Sequence, residues 1–157
     1  MISSPARIGS SALTSGWLGK SPENGIRAAE NINKFRNGFK PVKPKVLFII
    51  SEDPRRSARP AEAIRIAAGV GTWKKVEIAV YLRDAAVLAL SEYADEFIDE
   101  DNYTRYFPII GEWGGPIYVQ QDAPFLRDLG DSPLKYQEIS DEQLARVAAE
   151  SEYVVNF

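Results

Sequence analysis

The chain of 157 residues contains no cysteine and no histidine. Without cysteine there is no thiolate nucleophile and no disulfide. Without histidine there is no imidazole to act as a base near neutral pH. Both absences remove the soft ligands that zinc, copper and iron–sulfur clusters favour, so neither a metal site nor a cofactor is expected. Long apolar runs are missing too. Nothing approaches the roughly 18 uninterrupted apolar residues of a membrane span, so no membrane partner is expected. The stretch Met1–Lys20 is rich in Ser and Gly, with Arg7 and Lys20 as its charges. It lacks the apolar centre of a signal peptide, and the cytoplasm is the expected compartment. The chemistry left is carboxylate acid/base work, tyrosine or lysine. The balance therefore tips toward binding or assembly and away from catalysis.

What the chain does contain is an ordinary globular composition, 45% hydrophobic and 26% charged, enough for one domain with a single core. Its charge is uneven. Residues 1–44 sum to +5 and residues 45–157 to −8, so the sequence divides into a basic N-terminal arm and an acidic body. The arm is rich in Ser, Gly, Asn and Pro but carries large apolar residues, among them Trp17, Phe35 and Phe39. Ser21-Pro22-Glu23 reads as a helix start, and Ile26, Ala29, Ile32 and Phe35 follow near helical spacing, which predicts a short helix at about 22–36. Apolar anchors on a basic arm suit docking onto a neighbouring subunit or onto the chain's own body.

The body alternates strand and helix signals. The run KVLFII from Lys45 predicts a strand buried on both faces. Pro60 opens a helix through about Val70, and KVEIAVYL from Lys75 predicts a second strand. A helix follows at DAAVLAL from Asp84. Residues 92–105 are acidic and aromatic with helical potential, and Pro108–Pro116, with its three glycines, reads as a loop. A third strand spans Ile117–Gln120, a turn or two of helix lies between Pro124 and Leu129, and a fourth strand spans Tyr136–Ile139. Ser140 with Gln143 forms a capping box for a helix bearing Leu144, Val147 and Ala148, and a final strand covers Tyr153–Phe157. This pattern predicts an α/β fold with a five-stranded, mainly parallel sheet and helices on both faces.

Ligands in such sheets bind beyond the C-terminal strand ends. That places Ser51, Glu52, Arg55, Arg56 and Arg59, after the first strand, beside Gln120 and Gln121, after the third. Three arginines before a helix N-terminus suit an anionic small molecule, although no glycine lies between Ser51 and Pro60 to let a phosphate approach the backbone closely. An enzyme built here would draw on Glu52, Asp53 or Glu112. The acidic group Asp95, Glu96, Asp99, Glu100 and Asp101 has no calcium-loop spacing and reads as a solvated face or a landing surface for the arm. Tyr103, Tyr106 and Trp113 make the 103–113 segment dense in aromatics, which suits an interface, with self-packing or a pocket rim as the alternatives. Nucleic acid is disfavoured by the acidic body and a pI near 5.1.

From Lys45 to the end, KVLFII, AEAIRIAAGVGTWKKVEIAVYL, DAAVLAL and EISDEQLARVAAESEYVVNF together resemble the DsrE/DsrF-like family, which includes the Tus sulfur-relay proteins. The resemblance implies a flavodoxin-like three-layer sandwich assembling as trimers or hexamers. It also implies a persulfide-carrying cysteine just after the third strand, where this chain has Gln120 and Gln121. It further implies that a chain can work beside a paralogous subunit, as many members of that family do, with cysteine-free members as candidates for the non-catalytic partner. The resemblance thus points to a non-catalytic subunit, partnered by itself or by a paralogue.

Overall fold

The structure, a computed structural model, describes residues 42–113 and 115–157, with Trp113 described by its backbone alone. The helix expected at 22–36, and Trp17, Phe35 and Phe39, lie outside the described residues. Among those described, β1 (Lys45–Ile50) leads to α1 (Arg59–Thr72), β2 (Glu77–Leu82), a 3-10 helix (Asp84–Leu90) and α2 (Glu100–Trp113). Then come β3 (Ile117–Gln120), a 3-10 turn (Leu126–Asp128), β4 (Gln137–Ile139), α3 (Asp141–Glu150) and β5 (Tyr153–Asn156). All four strand pairings are parallel, in the order β4-β3-β2-β1-β5. This is the α/β, flavodoxin-like sandwich expected from the sequence.

The order explains the layering. From β1 to β4 the chain steps in one direction across the sheet, then returns past β1 to place β5 on the other side. Crossovers of one hand that run in opposite directions put their helices on opposite faces. Accordingly α1, α2 and both 3-10 segments pack on one face, over Phe48, Ile50, Val80, Leu82 and Val119. The other face carries α3, whose Leu144, Val147 and Ala148 lie over Leu47, Tyr81 and Ile139. α3 starts as the sequence predicts: Ser140 Oγ accepts the Gln143 N–H at 3.4 Å, and Gln143 Oε1 accepts the Ser140 N–H at 2.9 Å. Among the described residues no helix is long and apolar enough to cross a membrane.

The helix expected at DAAVLAL forms as a 3-10 helix, entered by Asp84 at φ 52° and buried from Ala86 to Leu90. One local expectation is corrected. The expected loop at 108–116 is largely helical, since α2 runs through Pro108 to Trp113. Proline removes one backbone donor and clashes with the preceding turn. Burial of Tyr103, Phe107 and Ile110 along one side of α2 outweighs that penalty. Of the acidic group, Asp95, Glu96 and Asp99, the last at φ 57°, precede α2, and Glu100 and Asp101 open it.

Candidate functional site at the C-terminal strand ends

Strand order reverses between β1 and β5, and the loop 51–58 leaves β1 at that point. The crevice is stitched shut at its base. Both Ser51 N–H and Ser51 Oγ donate to the Phe157 carbonyl, at 3.1 Å each, and the Phe157 ring stacks on Phe48 with centroids 6.1 Å apart.

Above it the loop is organised by its own carboxylates. Asp53 Oδ1 accepts the Arg55 backbone N–H and Nε–H, both at 3.0 Å, and Oδ2 accepts Arg55 Nη2 at 2.8 Å. The Asp53 carbonyl accepts the N–H groups of Arg56 and Ser57, at 3.0 Å each. The Arg55 guanidinium lies over the Phe125 ring, 5.5 Å from its centroid. Glu52 pairs with Arg59 at 2.9 Å, and the Ser57 hydroxyl accepts the Arg59 N–H at 3.2 Å. These contacts set the electrostatics. The Arg55 hydrogen bonds hold the Asp53 carboxyl below its ordinary value, and those from Ser57 and Arg59 do the same for Glu52. Arg56 differs, being 86% exposed with its Nε 3.9 Å from Asp53.

The ends of β2 and β3 meet the same pattern. Arg83 Nε pairs with Asp84 at 3.1 Å. Gln120 Oε1 accepts the Asp84 N–H at 2.9 Å, across 36 positions of sequence. Gln121 is exposed, and its N–H donates to the Ile139 carbonyl at 3.0 Å. Asp122, like Asp84, has positive φ, at 62°. Thus Ser51, Glu52, Arg55, Arg56, Arg59, Gln120 and Gln121 do gather at one end of the sheet, yet Arg55, Arg59 and Arg83 each face a carboxylate from their own or a neighbouring turn. As an anion site the cluster is largely self-neutralised.

The aromatic segment separates by burial. Tyr103, expected at an interface, is buried in the chain's own core between Phe97 and Phe107. Its hydroxyl makes no hydrogen bond and lies toward the Ala61 amide at the start of α1, and burial pushes its ionisation upward. Tyr106 is half-buried beside α1. The Trp113 side chain is outside what is described. Among the described residues, exposed large apolar side chains lie elsewhere, Trp73, Tyr93, Ile98 and Tyr153 among them.

Sequence reasoning missed a cavity of about 560 Å³ at the opposite, N-terminal strand ends. Lys45, Lys74, Glu77, Tyr118, Val147 and Glu150 are among its walls, with Lys45 and Glu150 paired at 3.3 Å. Its walls are drawn from positions between Lys43 and Ser151, so no local pattern announces it. Among the described residues no group of acidic side chains is arranged to hold a metal ion.

No protein-family model matches the sequence, and no curated protein is similar enough to count as a relative. A crystal structure of the ychN protein from E. coli superposes with a TM-score of 0.61 at 16% identity, covering 73% of this chain and 99% of that one. The likeness is one of fold. It supports the α/β, flavodoxin-like architecture expected from the sequence.

Proposed function

We propose that this chain is a non-catalytic subunit or binding module of an oligomer, acting through its surfaces. The observation that carries the reading is the state of the C-terminal strand ends. The Gln120 amide is committed to the Asp84 N–H, and Arg55 and Arg59 are closed by Asp53 and Glu52. Where the DsrE/DsrF-like pattern calls for a persulfide-carrying cysteine, Gln120 and Gln121 supply side-chain amides, which cannot carry sulfur. Large exposed side chains at Trp73 and Tyr153 support a role in contacts, because such groups are favoured interface anchors. In this reading the basic arm docks on a neighbouring subunit of the acidic body, with Trp17, Phe35 and Phe39 as anchors. The partner is a second copy or a paralogous chain, in the cytoplasm.

The test is native mass spectrometry of the full chain, tagged and purified gently from its own source cells. A homo-oligomer or a stoichiometric second subunit is the expected result. A monomer carrying a small bound mass would overturn the reading and move the function to the strand-end arginines.

A further inference from the structure

The two edges of the sheet are built differently. β4 is three residues long and exposes Gln137 and Glu138. Short, polar edge strands are an ordinary guard against unwanted pairing. β5, at the other edge, reads Tyr-Val-Val-Asn and carries neither charge nor proline. Tyr153 is 57% exposed and Val154 42%. Among the described residues no strand pairs with the outer side of β5.

A second apolar strip lies on α1. Tyr103 lies toward Ala61, and Arg65 feels Tyr106, so α2 runs along the Ala61 and Arg65 flank. Ile66, Val70 and Trp73 follow one another at helical spacing on the other flank. Trp73 is 73% exposed and Val70 37%.

We propose that β5 is a self-association edge: two copies of this chain pair their β5 strands antiparallel, about a two-fold axis normal to the sheet, into one continuous sheet. The inference rests on the reading above and names the surface and the partner. A second copy fits for three reasons. A strand pairing with itself about a two-fold axis presents matched donors and acceptors without any further design. The uncharged strand lets two acidic bodies approach there without like charges meeting in the seam. The third reason is area. A large aromatic carries roughly 150–250 Å². Trp73, Tyr153, Val154 and Val70 therefore leave on the order of 400 Å² of side chain open, about half of the ~800 Å² per partner that a stable pair buries. The outer backbone edge of β5, unpaired among the described residues, and the half-buried Val155 and Phe157 beside it supply the rest. The two-fold keeps each sheet face continuous, so Tyr153 meets Val155 or Phe157 of the second copy.

The absence of cysteine makes the test direct, since any introduced thiol is the sole one in the chain. Full-length Val154→Cys, Val155→Cys and Gln137→Cys are oxidised at low micromolar concentration and run without reductant. A covalent dimer from at least one β5 position and none from Gln137→Cys is expected. Sedimentation of full-length Val154→Lys, with its fold checked by circular dichroism, should show at least a tenfold weaker self-association than the wild type. No cross-link from either β5 position, or wild-type sedimentation of Val154→Lys, overturns the proposal. If the wild type still forms an oligomer in those cases, the β5 edge is wrong and the subunit reading stands. If the wild type sediments as a monomer and brings no stoichiometric partner from cells, both fall.

Discussion

Asp53 shows how much one short side chain organises. It turns the loop after β1, fixes Arg55 and feeds its carbonyl to two following amides. Its carboxyl titrates below the ordinary 3.8 because of Arg55, as does that of Glu52 below 4.5 because of Ser57 and Arg59. With folded values below unfolded ones, the unfolded chain takes up these protons first. The stability they contribute is complete above about pH 5 and is lost as pH falls through the folded values. Asp53→Asn should lower stability at pH 7 by about 0.5–1 kcal/mol and flatten the fall in Tm between pH 5 and 3. Equal slopes for variant and wild type would remove Asp53 from this role. Tyr103 makes the opposite case. Its buried hydroxyl has no hydrogen-bond partner, so Tyr103→Phe should change unfolding free energy by less than about 1 kcal/mol or raise it. A larger loss in urea titration would mean that a bound water satisfies the hydroxyl. Gly115 is required by close approach: a Cβ there would collide with the Ile78 carbonyl. Gly115→Ala should cost roughly 1–3 kcal/mol, read from the same titration. The types and positions of the strand-end residues were legible in the sequence. Their pairing was not, because Gln120 reaches Asp84 across 36 positions and by way of two strands.

Among the elements, α3 and α2 mark the two ends of what local sequence can say. α3 is announced by Ser140 and Gln143, and both halves of the box form. It is also the helix that lies over Leu47, Tyr81 and Ile139. Ser140→Ala should therefore destabilise the whole protein by about 1 kcal/mol, the usual cost of a lost cap, and speed amide exchange in α3 first. α2 has no such announcement. Pro108 and three glycines argued for a loop, and packing of Tyr103, Phe107 and Ile110 overrode them. Pro108→Ala should restore a backbone donor inside that helix and raise stability by about 1–2 kcal/mol; a drop in Tm would refute this. The strands divide in the same way. β1 and β3 start and end as expected because their apolar runs are unbroken, whereas β2 begins at Glu77, after Lys75 and Val76 are used in the turn from α1.

At the scale of the molecule, the sheet order decides where helices, crevices and bare surfaces fall. One reversal puts α3 alone, among the described helices, on its face, and leaves the N-terminal cavity beside it. The same reversal makes β5 an edge although its residues read as those of an interior strand. Removing residues 1–44 should weaken assembly if the arm clasps a neighbour. A 45–157 chain that sediments as the full chain does would show that the arm is dispensable for it.

The sequence by itself determined the element alternation, the parallel sheet, the start of α3 and the exclusion of thiol and imidazole chemistry. Those follow from residue type and short-range periodicity, which act within a turn or a strand. Tertiary structure decided that Pro108 stays inside a helix, that Tyr103 is core, that the strand-end arginines meet carboxylates and that no described strand pairs with the outer side of β5. Each of these depends on which distant residues become neighbours, and that is set by the order of the strands and the packing between layers.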